Sequence, residues 1–356
     1  MVNKKVLKVV TALFLSTVLC ASCGKVPENV DNEPESEENT HIESEVSEEK
    51  DEEAAVLGRR RVVVPDNPVE VAGLDNGIRP YSILVANNGL VFTDTHFKSV
   101  WKYAGDKVES IAGGSGTRNI YDVPESDYND GEADKALFGK LTAIEKFLDW
   151  YIVADSDNDA LRLIHNGDVE TVNAVFEGSE KLATFDNPTG LATDKVGNLY
   201  VSDTNNGRII RITTKGLATV ILKNLKSPMG LSISGNTLYI AETGANRILK
   251  TDLVSDTLKT EVVAGNGEEG FEDGDVKKAL FSSPKGILVS GDDIYVADTV
   301  NGAVRLIRDG EVTTIIKGTD GTLDGYPISP TGLCILDEKM YVCDNFNGKI
   351  YVFDLK

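Results

Sequence analysis

Six times along the chain an apolar run ends in an acid, a short turn of polar or small residues follows, and a second apolar run opens. The copies are Phe92-Thr93-Asp94, Val153-Ala154-Asp155, Val201-Ser202-Asp203, Ile240-Ala241-Glu242, Val296-Ala297-Asp298 and Val342-Cys343-Asp344. In each copy an aliphatic residue stands six positions after the acid: Val100, Leu161, Ile209, Ile248, Val304 and Ile350. The acids themselves lie 61, 48, 39, 56 and 46 residues apart, so the paired runs are constant and the connections vary. Self-similarity of this kind constrains the fold more than any local propensity, because a repeat buries its apolar faces only against its neighbours.

Two further elements accompany each copy. Ahead of it lies a run of proline, any residue, a small residue and an aliphatic, as in Pro188-Thr189-Gly190-Leu191, Pro228-Met229-Gly230-Leu231, Pro284-Lys285-Gly286-Ile287 and Pro330-Thr331-Gly332-Leu333. Pro80-Tyr81-Ser82-Ile83 is a looser version, and Leu141-Thr142-Ala143-Ile144 lacks the proline. Proline is tolerated at the first residue of a strand, where no ladder donor is needed. Behind the copies come β-rich runs, Val108 to Ala112, Val169 to Val172, Ala218 to Leu222, Glu261 to Ala264 and Val312 to Ile316. Each unit thus offers four strands, a to d, which is the signature of a propeller blade. The sixth unit ends after strand c. The missing strand is supplied from the other end, where Val69-Glu70-Val71-Ala72-Gly73 matches Glu109-Ser110-Ile111-Ala112-Gly113. The spacing predicts an all-β, six-bladed propeller over residues 60–356, closed by an N-terminal strand that completes the last blade and removes exposed edges.

The motif Tyr200-Val201-Ser202-Asp203-Thr204-Asn205-Asn206-Gly207-Arg208-Ile209, after Asn187-Pro188-Thr189-Gly190-Leu191, resembles the NHL repeat. So does Ala264-Gly265-Asn266-Gly267 through Asp273-Gly274 to Ala279-Leu280-Phe281. The resemblance covers residues 62–356 and is weakest in the first two blades, where Phe97 replaces the usual turn Asn and Leu141 the proline.

Asp94, Asp155, Asp203, Glu242, Asp298 and Asp344 read as turn devices rather than as a ring of ligands. A carboxylate at a strand end bonds nearby backbone amides and an Asn or Arg, such as Asn206 with Arg208 or Asn246 with Arg247. A site needs asymmetry, and this feature is in every blade. In a propeller the b–c turns and d–a connections share one face and strand a lines the channel. The channel mouth on that face is therefore predicted at Tyr81, Thr142, Thr189, Met229, Lys285 and Thr331.

That ring contains no carboxylate and no histidine. Six-bladed lactonases of the gluconolactonase type hold a divalent cation with central acids and amides, and similar peptide-amidating and streptogramin lyases depend on central histidines. This chain has three histidines: His41 precedes the repeats, His165 falls at a c–d turn on the opposite face, and His96 at a b–c turn. No His-based metal site is expected. The binding candidates extend to His96 and to two aromatics in the long d–a connections, Tyr128 and Phe271. Those connections hold the acidic stretches Asp127 to Asp134 and Glu268 to Asp275. Dense oxygen ligands could take Ca²⁺, but neither stretch has the spacing of an EF-hand loop, and no other cofactor is expected. Their alternative reading is an Asp-Gly turn followed by Phe138 or Phe281 packed inward.

The chain of 356 residues carries a formal net charge of −21, which disfavours binding to nucleic acid. Residues 26–55 hold thirteen Asp and Glu against one Lys. Ahead of them, Lys4, Lys5 and Lys8 precede an apolar run from Val9 to Leu19, too short for a comfortable membrane span and fitting for an export signal. Leu19-Cys20-Ala21-Ser22-Cys23-Gly24 resembles the lipobox of bacterial lipoproteins, with Cys20 where that family usually has Leu. The resemblance implies a signal over 1–22, a diacylglyceryl anchor on Cys23, and location on the outer face of a bacterial membrane, which the anchor alone would touch. Residues 23–59 read as an acidic, disordered tether, too poor in apolar residues to bury a core. Cys334 and Cys343 sit on neighbouring strands, opposite each other if the turn is Glu338-Lys339, and form either a disulfide or two small buried thiols. The expected function is recognition of a protein, peptide or envelope glycan on the loop-rich face. The rival reading is a divalent-metal-dependent hydrolase or lyase.

Overall fold

The computed structural model describes residues 62–63, 69–71, 74, 77–86, 89–105, 107–114, 119, 124–255, 257–317, 327 and 329–355. The chain divides into two units, Met1–Arg60 and Arg61–Lys356. The expected signal, Cys23, His41 and the tether lie outside the described residues.

The second unit is a ring of six sheets, each built on four antiparallel strands or, in the last, on strands from both ends of the unit. Blade 1 is built from Pro80–Ala86, Gly89–Asp94, Ser99–Ala104 and Lys107–Gly113 as strands a to d. The later blades begin with strands a at Leu141–Phe147, Pro188–Thr193, Pro228–Ser234, Pro284–Ser290 and Pro330–Leu336. The register is the same in every blade: the first residue of strand a faces the acid that ends strand b, as in Pro188 opposite Asp203 and Leu141 opposite Asp155. The d–a connections and b–c turns therefore meet on one face.

The last blade is closed from the N-terminal side. Val69–Glu70 pairs antiparallel with strand c of blade 6, Lys349–Leu355, with Val69 opposite Val352, and the Val71 amide donates to the Ile350 carbonyl at 2.9 Å. Val62–Val63 also pairs with this strand, Val62 opposite Leu355, so two short segments cover one seven-residue edge. Short outer strands cover other edges: Gly131–Glu132 lies on strand d of blade 2, Val175–Phe176 on that of blade 3, and Gly274–Asp275 on that of blade 5.

The apolar core lies between neighbouring blades. Val91, Val100, Phe138, Leu141, Ile144 and Val153 join blades 1 and 2. Tyr295, Val304, Leu333, Val342 and Phe353 join blades 5 and 6. Near the channel the blades are stitched by a repeated bond. In blades 2 to 5 the residue after the turn acid donates to the carbonyl opening the next blade's strand a: Ser156 Oγ to Pro188 O at 2.7 Å, Thr204 to Pro228 at 2.7 Å, Thr243 to Pro284 at 2.6 Å and Thr299 to Pro330 at 2.8 Å; in blade 1 Thr95 bonds the Arg79 carbonyl instead. Asn345 Nδ2 does this for Pro80 at 3.4 Å and closes the ring. This close approach explains the small residue at the third position of strand a. A Cβ on Gly190 would stand 1.8 Å from the Met229 carbonyl oxygen, and one on Gly286 2.0 Å from that of Thr331.

One expected register shifts by a single residue. Leu336 pairs with Lys339, so the turn is Asp337-Glu338 and Cys334 faces Tyr341, not Cys343. Both cysteines are buried free thiols, and burial pushes both thiol pKa values up.

Candidate functional site

The turn acids pin the loops of the upper face. In every blade one carboxylate oxygen accepts the amide of a residue just ahead of strand a: Arg79 N to Asp94 at 2.9 Å, Gly139 to Asp155 at 2.8 Å, Asp186 to Asp203 at 2.7 Å, Lys226 to Glu242 at 2.8 Å, Ser282 to Asp298 at 2.8 Å and Ser329 to Asp344 at 3.2 Å. The other oxygen meets a different group from blade to blade. Arg208 Nε reaches Asp203 at 2.6 Å, Arg247 Nε reaches Glu242 at 2.5 Å, Trp101 Nε1 reaches Asp94 at 3.3 Å and Asn347 Nδ2 reaches Asp344 at 2.8 Å. These carboxylates hold the loops and do not converge on the channel.

Blades 2 and 5 share a further device. Arg162 and Arg305 are fully buried, and all five N–H groups of each are engaged. Arg305 donates to Asp273 Oδ1 from Nε at 3.0 Å and Nη2 at 2.6 Å, to Asp298 Oδ2 at 2.8 Å, and to the carbonyls of Leu280 and Glu272. Arg162 repeats this with Asp130, Asp155, Leu137 and Asn129. Each guanidinium stacks on two rings: Tyr128 at 4.6 Å and Phe138 at 4.9 Å, or Phe271 at 4.8 Å and Phe281 at 5.0 Å. Tyr128 and Phe271 are thus half-exposed lids over buried cations. Asp130 and Asp273, offered above as oxygen ligands, are engaged by arginine and by Thr171 and Thr314. Among the described residues no group of three or more His, Cys, Asp or Glu side chains could hold a metal ion.

The six innermost strands enclose a channel cavity of about 390 Å³. Tyr81, Thr142, Thr189, Met229, Lys285 and Thr331 all line it. Three of these hydroxyls are already engaged. Thr142 bonds Ser156 and the Pro188 carbonyl, Thr189 bonds Thr204 at 2.5 Å, and Thr331 donates to the Tyr81 carbonyl at 2.7 Å. Lys285 is partly buried, and burial followed by repulsion from Lys140 lowers its pKa. Deeper in the channel, at the fifth position of strand a, stands Glu145. Its carboxyl accepts the Lys146 amide at 3.0 Å and the Thr193 hydroxyl at 3.2 Å, and burial pushes its pKa up to about 7. The other blades carry Leu84, Ala192, Ser232, Leu288 and Cys334 there, so Glu145 breaks the ring's symmetry. None of the six mouth residues is a carboxylate; Glu145 lies three residues further along strand a than Thr142.

The tips of the b–c turns break the symmetry too. Two residues after the acid come His96, Asp157, Asn205, Gly244, Val300 and Phe346. Val300 is 63% exposed and Phe346 68% exposed, on the face that also carries Phe271. His96 stands edge-on to Phe97 at 4.9 Å, and His165 packs beside Trp150 at 5.1 Å at a c–d turn.

The family described as the Teneurin NHL domain matches residues 168–337. Teneurin-m of Drosophila melanogaster is 33% identical over 171 residues, 42% of this chain and 6% of that protein. NHL repeat-containing protein 2 of Gallus gallus is 40% identical over 86 residues, 24% of this chain and 11% of that protein. The chain spans only these small parts of the curated relatives. An auxiliary nutrient binding protein from Bacteroides thetaiotaomicron superposes with a TM-score of 0.61 at 18% identity, covering 78% of this chain and 70% of that one. A gluconolactonase from Xanthomonas campestris gives 0.57 at 13%, covering 84% and 98%. A streptogramin B lyase gives 0.51 at 13%, covering 81% and 97%. At these identities the solved structures show the fold.

Proposed function

We propose that this chain, an NHL-repeat six-bladed β-propeller protein, is a binding scaffold that recognises a protein, peptide or envelope ligand on its loop-rich face, held at the outer surface of a membrane by a lipid on Cys23. One observation carries the binding reading. The face is uniform where it is structural and asymmetric where it is exposed. The acids repeat in every blade, whereas Phe346, Val300 and Phe271 leave apolar surface exposed on the loops of blades 5 and 6. The likeness to a nutrient-binding propeller supports a ligand-binding role as an analogy of fold.

Capture on the immobilised full chain, with and without Phe346→Glu, tests this. The wild type should retain a ligand that the variant loses by tenfold or more, with an unchanged Tm, since Phe346 is exposed. Equal retention would sink the reading. The rival hydrolase or lyase makes the opposite forecast in a second measurement: Ca²⁺, Mg²⁺ or Zn²⁺ would raise the Tm.

The anchor has its own measurement. Cys23→Ser should abolish incorporation of a labelled fatty acid and move the protein from the membrane fraction to the soluble one, because the acyl chains supply about 0.8 kcal/mol per buried CH₂. Retention in the membrane fraction would refute the anchor.

A further inference from the structure

The channel mouth carries two cations in a chain of net charge −21. Lys285 projects from the second position of strand a in blade 5 and lines the cavity. Lys140 stands immediately before strand a of blade 2, with its ammonium 5.6 Å from the centre of the Tyr81 ring. Among the described residues neither ammonium forms an ion pair, and the Tyr81 hydroxyl makes no hydrogen bond. Burial lowers the Lys285 pKa, and the like charge of Lys140 lowers it further. Elsewhere on this face the chain pairs its cations closely, as Arg162, Arg208, Arg247 and Arg305 show. Two ammonium groups at one confined opening, the Lys285 one partly buried and neither in an ion pair, favour an incoming anion. Beneath them the channel is lined by the innermost strands of all six blades. Glu145 lies about 10 Å further in, three strand residues along.

We propose that the channel binds a small organic oxyanion, a carboxylate or phosphate ester, with its charged group between Lys140 and Lys285, its acceptor oxygen against the Tyr81 hydroxyl, and its uncharged body in the channel. This deepens the binding reading above and rests on it. The oxyanion belongs at the mouth rather than deeper, because ionised Glu145 would repel it there.

Paired probes at fixed ionic strength test the proposal on the full chain: galacturonate against galactose, benzoate against benzyl alcohol, and phenyl phosphate against phenol. Fixed ionic strength removes general screening as a cause. The charged member of at least one pair should raise the Tm saturably while its neutral partner does not, and a response confined to phenyl phosphate or to the two carboxylates would identify the head group. Lys140→Met and Lys285→Met should each weaken that binding by about tenfold, one lost charged contact. In the ligand-free protein Lys285→Met should raise the Tm, because an unpaired, partly buried ammonium is removed. Equal binding of charged and neutral members, full binding by the double variant, no response from any probe up to about 10 mM, or a fall in the ligand-free Tm would each overturn it. Those results leave the Phe346→Glu capture untouched, so failure here is separable from failure of the binding reading.

Discussion

Arg305→Leu should lower the unfolding free energy by about 3–5 kcal/mol and the Tm by about 10 °C. The side chain is fully buried and holds three things at once: the turn acid Asp298, the connection acid Asp273 and two loop carbonyls. Leucine would fill much of the volume but leave Asp298 buried without its cation, keeping only Asn301 and the Ser282 amide as partners. An uncompensated buried charge is what makes breaking such a pair costly. Leucine would also remove the cation beneath Phe271 and Phe281. Arg162→Leu should cost a similar amount for the same reasons in blade 2, and the two costs should add, since the sites share no partner. In the double variant Asp298→Asn with Arg305→Leu, much of the loss should return, because the stranded charge is gone. Thermal and urea unfolding followed by circular dichroism measure all four. A loss below about 1 kcal/mol for Arg305→Leu would show that the guanidinium is an exposed-type pair of little worth.

The parts of this molecule that repeat are legible in its sequence. A strand, an acid and a second strand at fixed spacing form a local hairpin, and six hairpins with a spare N-terminal strand have few ways to bury their faces. The hydroxyls after four of the acids, Ser156, Thr204, Thr243 and Thr299, are plain in the sequence, but their partners in the next blade are not, because that contact spans a connection of variable length. The buried arginines were hidden differently. An arginine inside an apolar strand reads as an outward residue. The available signal was a duplicated spacing: Asp130 and Asp273 each lie 25 residues before their turn acid, and Arg162 and Arg305 each lie seven after it. The cysteine hairpin failed on turn chemistry. Asp337 and Glu338 both adopt the left-handed region, with φ of 49° and 60°, where glycine or asparagine usually marks the turn. Alignment with Gly291-Asp292, at the same distance from the strand-a proline of blade 5, places the turn correctly.

The channel offers the second large effect, through Glu145. Its folded pKa is about 7, raised above the ordinary carboxylate range by burial. A carboxyl raised in this way keeps its proton in the folded chain and gives it up in the unfolded one. Between about pH 4.5 and 7, folding therefore takes up a proton, and the stability that Glu145 contributes falls as pH rises through that window. Asp94, also raised by burial, acts with the same sign. Glu145→Gln keeps an acceptor for the Lys146 amide and the Thr193 hydroxyl but cannot ionise. At pH 8 the variant should exceed the wild type by about 2–3 kcal/mol, slightly less than the full shift implies because the carboxyl faces the channel, where water reaches it. Below about pH 4.5 the two should coincide. Urea unfolding at pH 4.5 and pH 8 measures the difference, and a gap that is the same at both would show that the carboxyl titrates normally and that the channel is as wet as the surface. The same variant bears on the oxyanion at the mouth. If ionised Glu145 repels it, binding to the wild type should weaken as pH rises past 7, while binding to Glu145→Gln should hold.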